Sequence, residues 1–423
     1  KTAMDKTPYE IACTAADPGS PDGDVHTPEH RVTLSRHAAA RVNPRLMAFT
    51  VLNPEPFRSQ PRLPLDGLAV GVKDLYDTAG LETSYGSPIY KGRVPDKDAR
   101  FVQRLRELGA YVVGKTVTTE FAWRQAGPTV NPYGADRTPG GSSSGSAAAV
   151  AAGIVPLALG TQTFGSIVRP AAFCGVAGFK PSYGALPLEG AQPLSPSLDH
   201  AGYLGRSLGL IRDVHRLVVD APSPAPDGEG TPRLRLVRGP WWQAATPAQK
   251  QVLTDAVEFL RARSITVTEA ELPEAFGRCQ LLAETILCHE AAEIYRPLID
   301  RHGDLVSDHI KDLVQKGEAL SGAAYRQALS ERDELAGLLA NEMDGFDAIL
   351  TLPALGEAPP MSEGTGNPGP CVPWTLMGVP CAALPSGQGQ QGLPVGIQLV
   401  GRKGKDLELL DLGVAVETAY QMR

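Results

Sequence analysis

Cysteine is scarce in this chain, and its pattern is uninformative as a framework. Six cysteines in 423 residues (Cys13, Cys174, Cys279, Cys288, Cys371 and Cys381) are scattered, with no Cys-x-x-Cys pair. So few thiols in so long a chain read as a reduced, cytoplasmic protein rather than a disulfide-stapled one. The eight histidines form no His-Glu-x-x-His motif and no cluster with cysteine. His26 and His30 sit four apart, but in a polar stretch with Pro28 between them. No metal and no cofactor is therefore expected. No apolar run reaches the ~18 residues of a membrane-spanning helix, so no membrane association is expected. A basic stripe is missing as well, and the net charge is −7, which argues against nucleic acid as a partner. Residues 1–26 lack the apolar centre of a signal peptide and read as a flexible N-terminal segment.

What is present is ordinary globular material, 42% hydrophobic and 21% charged, with Gly 45 and Pro 37 marking many tight turns. "LAVGVKDLYDTAG" (68–80) reads as a short strand ending at a lysine. "DARFVQRLRELGA" has apolar residues at helical spacing and a glycine stop, and "YVVGKT" follows as a strand. An alanine-rich helix at about 145–152 and a buried strand at 155–161 continue the alternation, which favours an α/β layer architecture. After a break at "APSPAPDGEGTPR" (221–233), Thr246 and Pro247 open a helix as N-cap and first residue. Residues 274–344 read as mostly helical, before strands at "FDAILTLP" and "PVGIQLVG" and a closing helix.

Two short motifs fit familiar chemistry and fail on context. "GAYVVGKT" (109–116) matches the phosphate-binding pattern GxxxxGK[ST]. Its four loop positions are Ala-Tyr-Val-Val, which is strand material and cannot wrap a phosphate. "GSSSG" (141–145) matches the nucleophile elbow G-x-S-x-G with Ser143 at its centre. That elbow needs an apolar strand before it, whereas "NPYGADRTPG" is a loop.

A third pattern is longer. "PGGSSSGSAAAVAAG", then "LALGTQTFGSIVRPAAFCGVAGFKPSYG", with "GVKDLYDTAG" upstream, resembles the amidase signature family. The resemblance runs from about Leu65 to Arg402 and includes "TSYGSPIYKG", "GKTVTTEFA", "WTLMGVPCAALPSG" and "GLPVGIQLVGR". "GTQT" and "WTLMG" make it most similar in appearance to bacterial malonamidase-like members. The family's fold is a large mixed β-sheet flanked by helices on both faces. Here that implies one domain over 27–423, with its core at about 60–220 and 345–423 and a helical insertion at about 246–344.

The resemblance also implies a Ser-Ser-Lys triad. Ser166 would be the nucleophile that forms an acyl-enzyme, Ser142 the proton bridge, and Lys73 the general base. A lysine base must be neutral, so burial has to lower its pKa from about 10.4, helped by the positive N-terminus of the alanine-rich helix. The peptide before the bridging serine, Gly141–Ser142, would be cis. Ser143, Ser144 and Ser146 would orient this turn and cap the helix. Backbone N–H groups of Thr163, Phe164, Gly165 and Ser166 would form the oxyanion hole.

Three positions bear on specificity. Phe164 stands where most relatives carry glycine; it either narrows the acyl pocket, alters the turn, or points away into the core. Gln162 replaces a more widespread aspartate and removes a charge near the nucleophile. Arg169 matches an arginine that holds a substrate carboxylate in malonamidase-like enzymes, although an arginine there also serves structure. The expected activity is hydrolysis of a small linear amide, whose acyl part carries a carboxylate on the Arg169 reading. The alternatives are the ammonia-supplying component of an amidotransferase and a catalytically weakened binding protein. The expected partner is a small-molecule amide, with a homodimer left open.

Overall fold

The structure is a computed structural model that describes residues 27–222 and 231–421; the segment 1–26, with Cys13 and His26, lies outside the described residues. Short apolar runs bounded by glycine and proline form the strands. In chain order they are β1 (Phe49–Leu52), β2 (Ala69–Lys73), β3 (Tyr111–Thr116), β4 (Leu157–Gln162), β5 (Ala177–Lys180), β6 (His200–Gly205), β7 (Arg233–Leu236), β8 (Thr266–Glu269), β9 (Ala348–Thr351), β10 (Cys381–Gln388) and β11 (Pro394–Val400). They join in one sheet, ordered β1-β3-β2-β4-β6-β5-β10-β11-β9-β7-β8. β2 is parallel to β3 and β4, and β7 is parallel to β8 and β9. The other pairs are antiparallel, so the sheet is mixed, as expected.

The helices are α1 (Pro28–Leu46), α2 (Arg100–Glu107), α3 (Ser144–Ala151), α4 (Val168–Cys174), α5 (Leu208–Val218), α6 (Pro247–Arg261), α7 (Cys279–His302), α8 (Asp308–Glu318), α9 (Gly322–Glu342), α10 (Val372–Leu376) and α11 (Asp406–Gln421). Residues paired across a ladder share a face, and neighbours along a strand take opposite faces. Gly178 pairs with Ala383, and a Cβ on it would lie 2.6 Å from Ala171 of α4. The next pair, Phe179 with Ala382, meets His215 of α5 and lies beside Gly413 of α11. Helices α4 and α11 therefore cover opposite faces.

Several expectations meet particular elements. Lys73 ends β2, "YVVGKT" is β3, and Thr246 caps α6 by accepting from Gln249 N at 3.3 Å. The stretch expected as a helical insertion is divided. Helix α6 packs on the sheet and β8 extends its edge, whereas α7, α8 and α9 pack on one another. Strand β8 has a single buried side chain, Val267, which is too little periodicity to read from sequence. Helix α1 and edge strand β1 precede the expected core; Asn43 clamps them by donating to Phe49 O and accepting from Phe49 N.

Helices α7 and α8 approach closely at Gly317, where a Cβ would fall 1.9 Å from Cys288 O. Overpacking of this kind costs about 1–3 kcal/mol. Gly317→Ala is expected to lower the denaturation midpoint accordingly, and an unchanged midpoint would contradict this close crossing.

Candidate active site

The site begins at the end of β2, whose five residues are all buried. Its parallel register against β4 pairs Val72 with Leu159, which carries Lys73 to the level of Gly160 and Thr161. The Lys73 Nζ lies 2.7 Å from Ser142 Oγ, 2.7 Å from Thr161 Oγ1 and 3.4 Å from Thr161 O. The side chain has no exposure to solvent. Burial holds its pKa well below the usual lysine range, and the negative charge of Asp199 opposes that shift.

Ser142 is presented by the turn that opens "GGSSSG". Gly140 has φ +79°, and a Cβ there would lie 2.9 Å from Pro170 Cα, so only glycine fits. The Gly141–Ser142 peptide is cis. Arg169 Nη2 donates to Gly141 O at 2.7 Å, and Thr119 N donates to Ser142 O at 3.3 Å. The following serines do not cap α3, whose N-cap makes no side-chain hydrogen bond. They reach across to neighbouring strands instead. Ser143 Oγ donates to Thr161 O and accepts from Thr161 N, Ser144 Oγ donates to Val117 O, and Ser146 Oγ donates to Leu159 O. Ser143 is fully buried with its hydroxyl engaged by Thr161, and it does not line the cavity that Ser142 and Ser166 line, which argues against the elbow reading. Every residue of α3 is buried. A helix enclosed on all sides beside a sheet must be narrow, which accounts for its alanines.

After β4 the chain turns at Thr163–Ser166 and enters α4. The backbone N–H groups of Thr163, Phe164, Gly165 and Ser166 donate no hydrogen bond within the described residues. The next two, Ile167 N and Val168 N, both donate to Gln162 Oε1. Gln162 thus does more than remove a charge, since its Nε2 donates to Thr375 Oγ1 at 2.9 Å.

Ser142, Thr163, Phe164, Ser166 and Arg169 line one cavity of about 690 Å³. Phe164 faces this cavity rather than pointing away from it, edge-on to Trp123 with ring centroids 5.7 Å apart. Arg169 is 5% exposed, and its Nε and Nη1 have no partner. Its remaining contacts run from Nη2 to Gly141 O and to Thr365 Oγ1. Burial lowers its pKa to about 10, with the strongest opposing influence from Cys371. Two donor atoms of this buried guanidinium thus remain without an acceptor, which an anion would supply. A second cavity of about 560 Å³ shares Ala122 and Thr163 with the first and reaches Thr161, Asp199 and His200.

Sequence reasoning missed Trp123, Arg124, Gln280 and His309 of the first cavity, and Asp199 behind it. Asp199 Oδ1 accepts from Thr163 Oγ1 at 2.6 Å, and burial raises its pKa to about 6. "SPSLDH" around it carries no pattern that could have found it. The GxxxxGK[ST] lysine, Lys115, lies inside β3, paired with Asp74 at 3.2 Å and bonded to Thr83 Oγ1. Among the described residues no three His, Cys, Asp or Glu side chains converge to hold a metal ion. No helix among them is long and apolar enough to cross a membrane.

Fold and site together define an amide-hydrolysing enzyme. The chain belongs to the amidase family, whose model matches residues 39–410. It is 32% identical to a glutamyl-tRNA(Gln) amidotransferase component from Symbiobacterium thermophilum, over 84% of this chain and 83% of that one. Among solved structures, an amidase with 31% identity superposes with a TM-score of 0.84 over 98% of this chain and 99% of its own. The peptide amidase of Stenotrophomonas maltophilia, 26% identical, superposes with a TM-score of 0.78 over 99% of this chain and 97% of its own.

The unpaired Arg169 donors lead to a binding prediction. A small carboxylate such as malonate is expected to raise the melting temperature in a concentration-dependent way, as any ligand of the native state does. Arg169→Met is expected to lose that response. An equal shift in both proteins would contradict anion binding at Arg169.

Proposed function

We propose that this enzyme hydrolyses a small linear amide bearing a carboxylate, through an acyl-enzyme on Ser166. The observation that carries the reading is the buried Lys73–Ser142 contact at 2.7 Å beside four unused N–H donors. A neutral Lys73 has two N–H bonds, both met by Thr161, which leaves its lone pair for the Ser142 hydroxyl. Ser166 Oγ attacks the amide carbon and gives its proton to Ser142, which passes its own proton to Lys73. The negative oxygen of the tetrahedral intermediate is met by N–H groups of Thr163, Phe164, Gly165 and Ser166. As the intermediate collapses, the proton returns through Ser142 to the leaving nitrogen, and ammonia or an amine departs. Water then repeats the sequence on the acyl-enzyme and releases the acid.

Arg169, in the first turn of α4, lines the same cavity as Ser166 and holds the substrate carboxylate through its unmet Nε and Nη1. Phe164 and Trp123 form an aromatic wall that limits the acyl group. Phe164→Gly is expected to lower KM for bulkier amides more than for the smallest ones.

A second reading is that the chain releases ammonia for a partner protein. It is favoured by the amidotransferase components among the relatives, and opposed by "TQTFGS" in place of the "TDTGGS" usual in such components. Hydrolysis by the chain alone separates the two. The weakened-protein reading is opposed by the intact Lys73–Ser142 contact and by the free N–H groups of the Phe164 turn.

The test is an ammonia-release screen over small amides with and without a free carboxylate. Ser166→Ala is expected to lose activity by more than about 10⁴-fold, while Ser143→Ala keeps most of it. The proton-accepting form of Lys73 is the neutral amine, so activity is present above its lowered pKa and falls as pH drops through it. His309→Gln is expected to preserve that profile. Activity that survives Ser166→Ala, or a profile abolished by one histidine replacement, would overturn the reading.

A further inference from the structure

We infer that Gln162 and Thr375 are positioning residues that aim the Gly165 N–H at the oxygen of the reacting amide; the inference rests on Ser166 being the nucleophile. Both side chains are buried, at 0% and 1% exposure, and neither lines the cavity, so neither touches substrate.

The direction of their hydrogen bonds follows from chemistry. Gln162 Oε1 accepts from Ile167 N at 2.8 Å and Val168 N at 3.0 Å. A main-chain N–H only donates, so the amide oxygen must face α4 and the amide nitrogen must face Thr375. Gln162 Nε2 donates to Thr375 Oγ1 at 2.9 Å. The single hydroxyl proton of Thr375 is then left for a carbonyl, and Phe164 O at 2.8 Å is nearer than Cys371 O at 3.3 Å. The chain runs one way, from the N–H groups of α4 through Gln162 and Thr375 to the Phe164 carbonyl. Each bond polarises the next.

The last link concerns the oxyanion hole. Among the described residues only Gly141–Ser142 is cis, so the Phe164–Gly165 peptide is trans. In a trans peptide the C=O and N–H point in opposite directions. Anchoring Phe164 O on Thr375, which lies outside the cavity, turns the Gly165 N–H toward the side lined by Phe164 and Ser166. An acidic side chain at 162 would accept from the same two N–H groups but could not donate to Thr375. The hydroxyl would then donate to the carboxylate and release Phe164 O. Gln162 and Thr375 therefore work as a matched pair.

Gln162→Glu keeps size and the α4 contacts while removing the one donor. On an amide that the wild type hydrolyses, kcat is expected to fall about 10- to 100-fold, the scale of a weakened oxyanion donor, with KM within about threefold. An aldehyde analogue of that substrate, whose adduct on Ser166 carries the oxyanion, is expected to lose affinity in proportion to kcat/KM. Thr375→Val is expected to match this loss, and Thr375→Ser to recover most of it. Loss in KM alone, or kcat within twofold in both Gln162→Glu and Thr375→Val, overturns the inference. The crystal structure of Gln162→Glu reads the same point without turnover. A Phe164 carbonyl no longer bonded to Thr375 supports the relay, and a retained bond refutes it. A wild type that hydrolyses no amide would count against the hydrolase reading, while that crystal structure would still decide the relay.

Discussion

Lys73 ends a strand with no exposed side chain, and among the described residues its amine meets only Ser142 and Thr161. An ammonium held there without a carboxylate in contact costs several kcal/mol, whereas a neutral amine is tolerated. Much of the surrounding structure keeps that amine dry and correctly placed. The β2–β4 register delivers it, the glycines at 140 and 141 let the Ser142 turn close over it, and the fully buried α3 follows that turn. Asp199 supplies the negative charge that opposes the lowering of the Lys73 pKa and is itself buried, with its own pKa raised to about 6.

The Thr163–Ser166 turn is held from two directions. Thr375 anchors Phe164 O, and Asp199 accepts from Thr163 Oγ1. Asp199 is in turn fixed by Leu194 N and Ser195 N, in a loop gripped by the helical part of the chain. Glu290 of α7 accepts from Ser195 Oγ, Ser197 N and Tyr325 OH. Glu120 makes a second clasp, accepting from Ser87 Oγ and from Ser307 N just before α8. Helices α7 to α9 are thereby tied to both the Thr163–Ser166 turn and the loop that carries Trp123. A helical layer that supplies Gln280 and His309 to the cavity wall also braces the chemistry beneath it.

Much of this was legible in the residues, and the limits have physical causes. β2, β3 and α3 could be read because their patterns are local: apolar runs, a glycine stop, an alanine block. The Lys73, Ser142 and Ser166 positions came from a resemblance spread over the chain, since a strand-end lysine alone is ordinary. Strand β8 and the clasps at Glu120 and Glu290 were not legible, because their partners lie far away in sequence. The serine block shows the same limit in reverse. Beside an alanine helix, caps are the local expectation, yet Ser143, Ser144 and Ser146 bond to β4 and to the end of β3 because α3 is buried among them. Gln162 looked like a lost charge, and only the fold shows where its amide nitrogen points.

The central claim is that Lys73 is a neutral amine hydrogen-bonded to Ser142. Neutron crystallography of the deuterated enzyme near neutral pH tests it most directly. The account predicts two deuterons on Nζ, both toward Thr161, and a Ser142 deuteron directed at Nζ. Three deuterons on Nζ would contradict it.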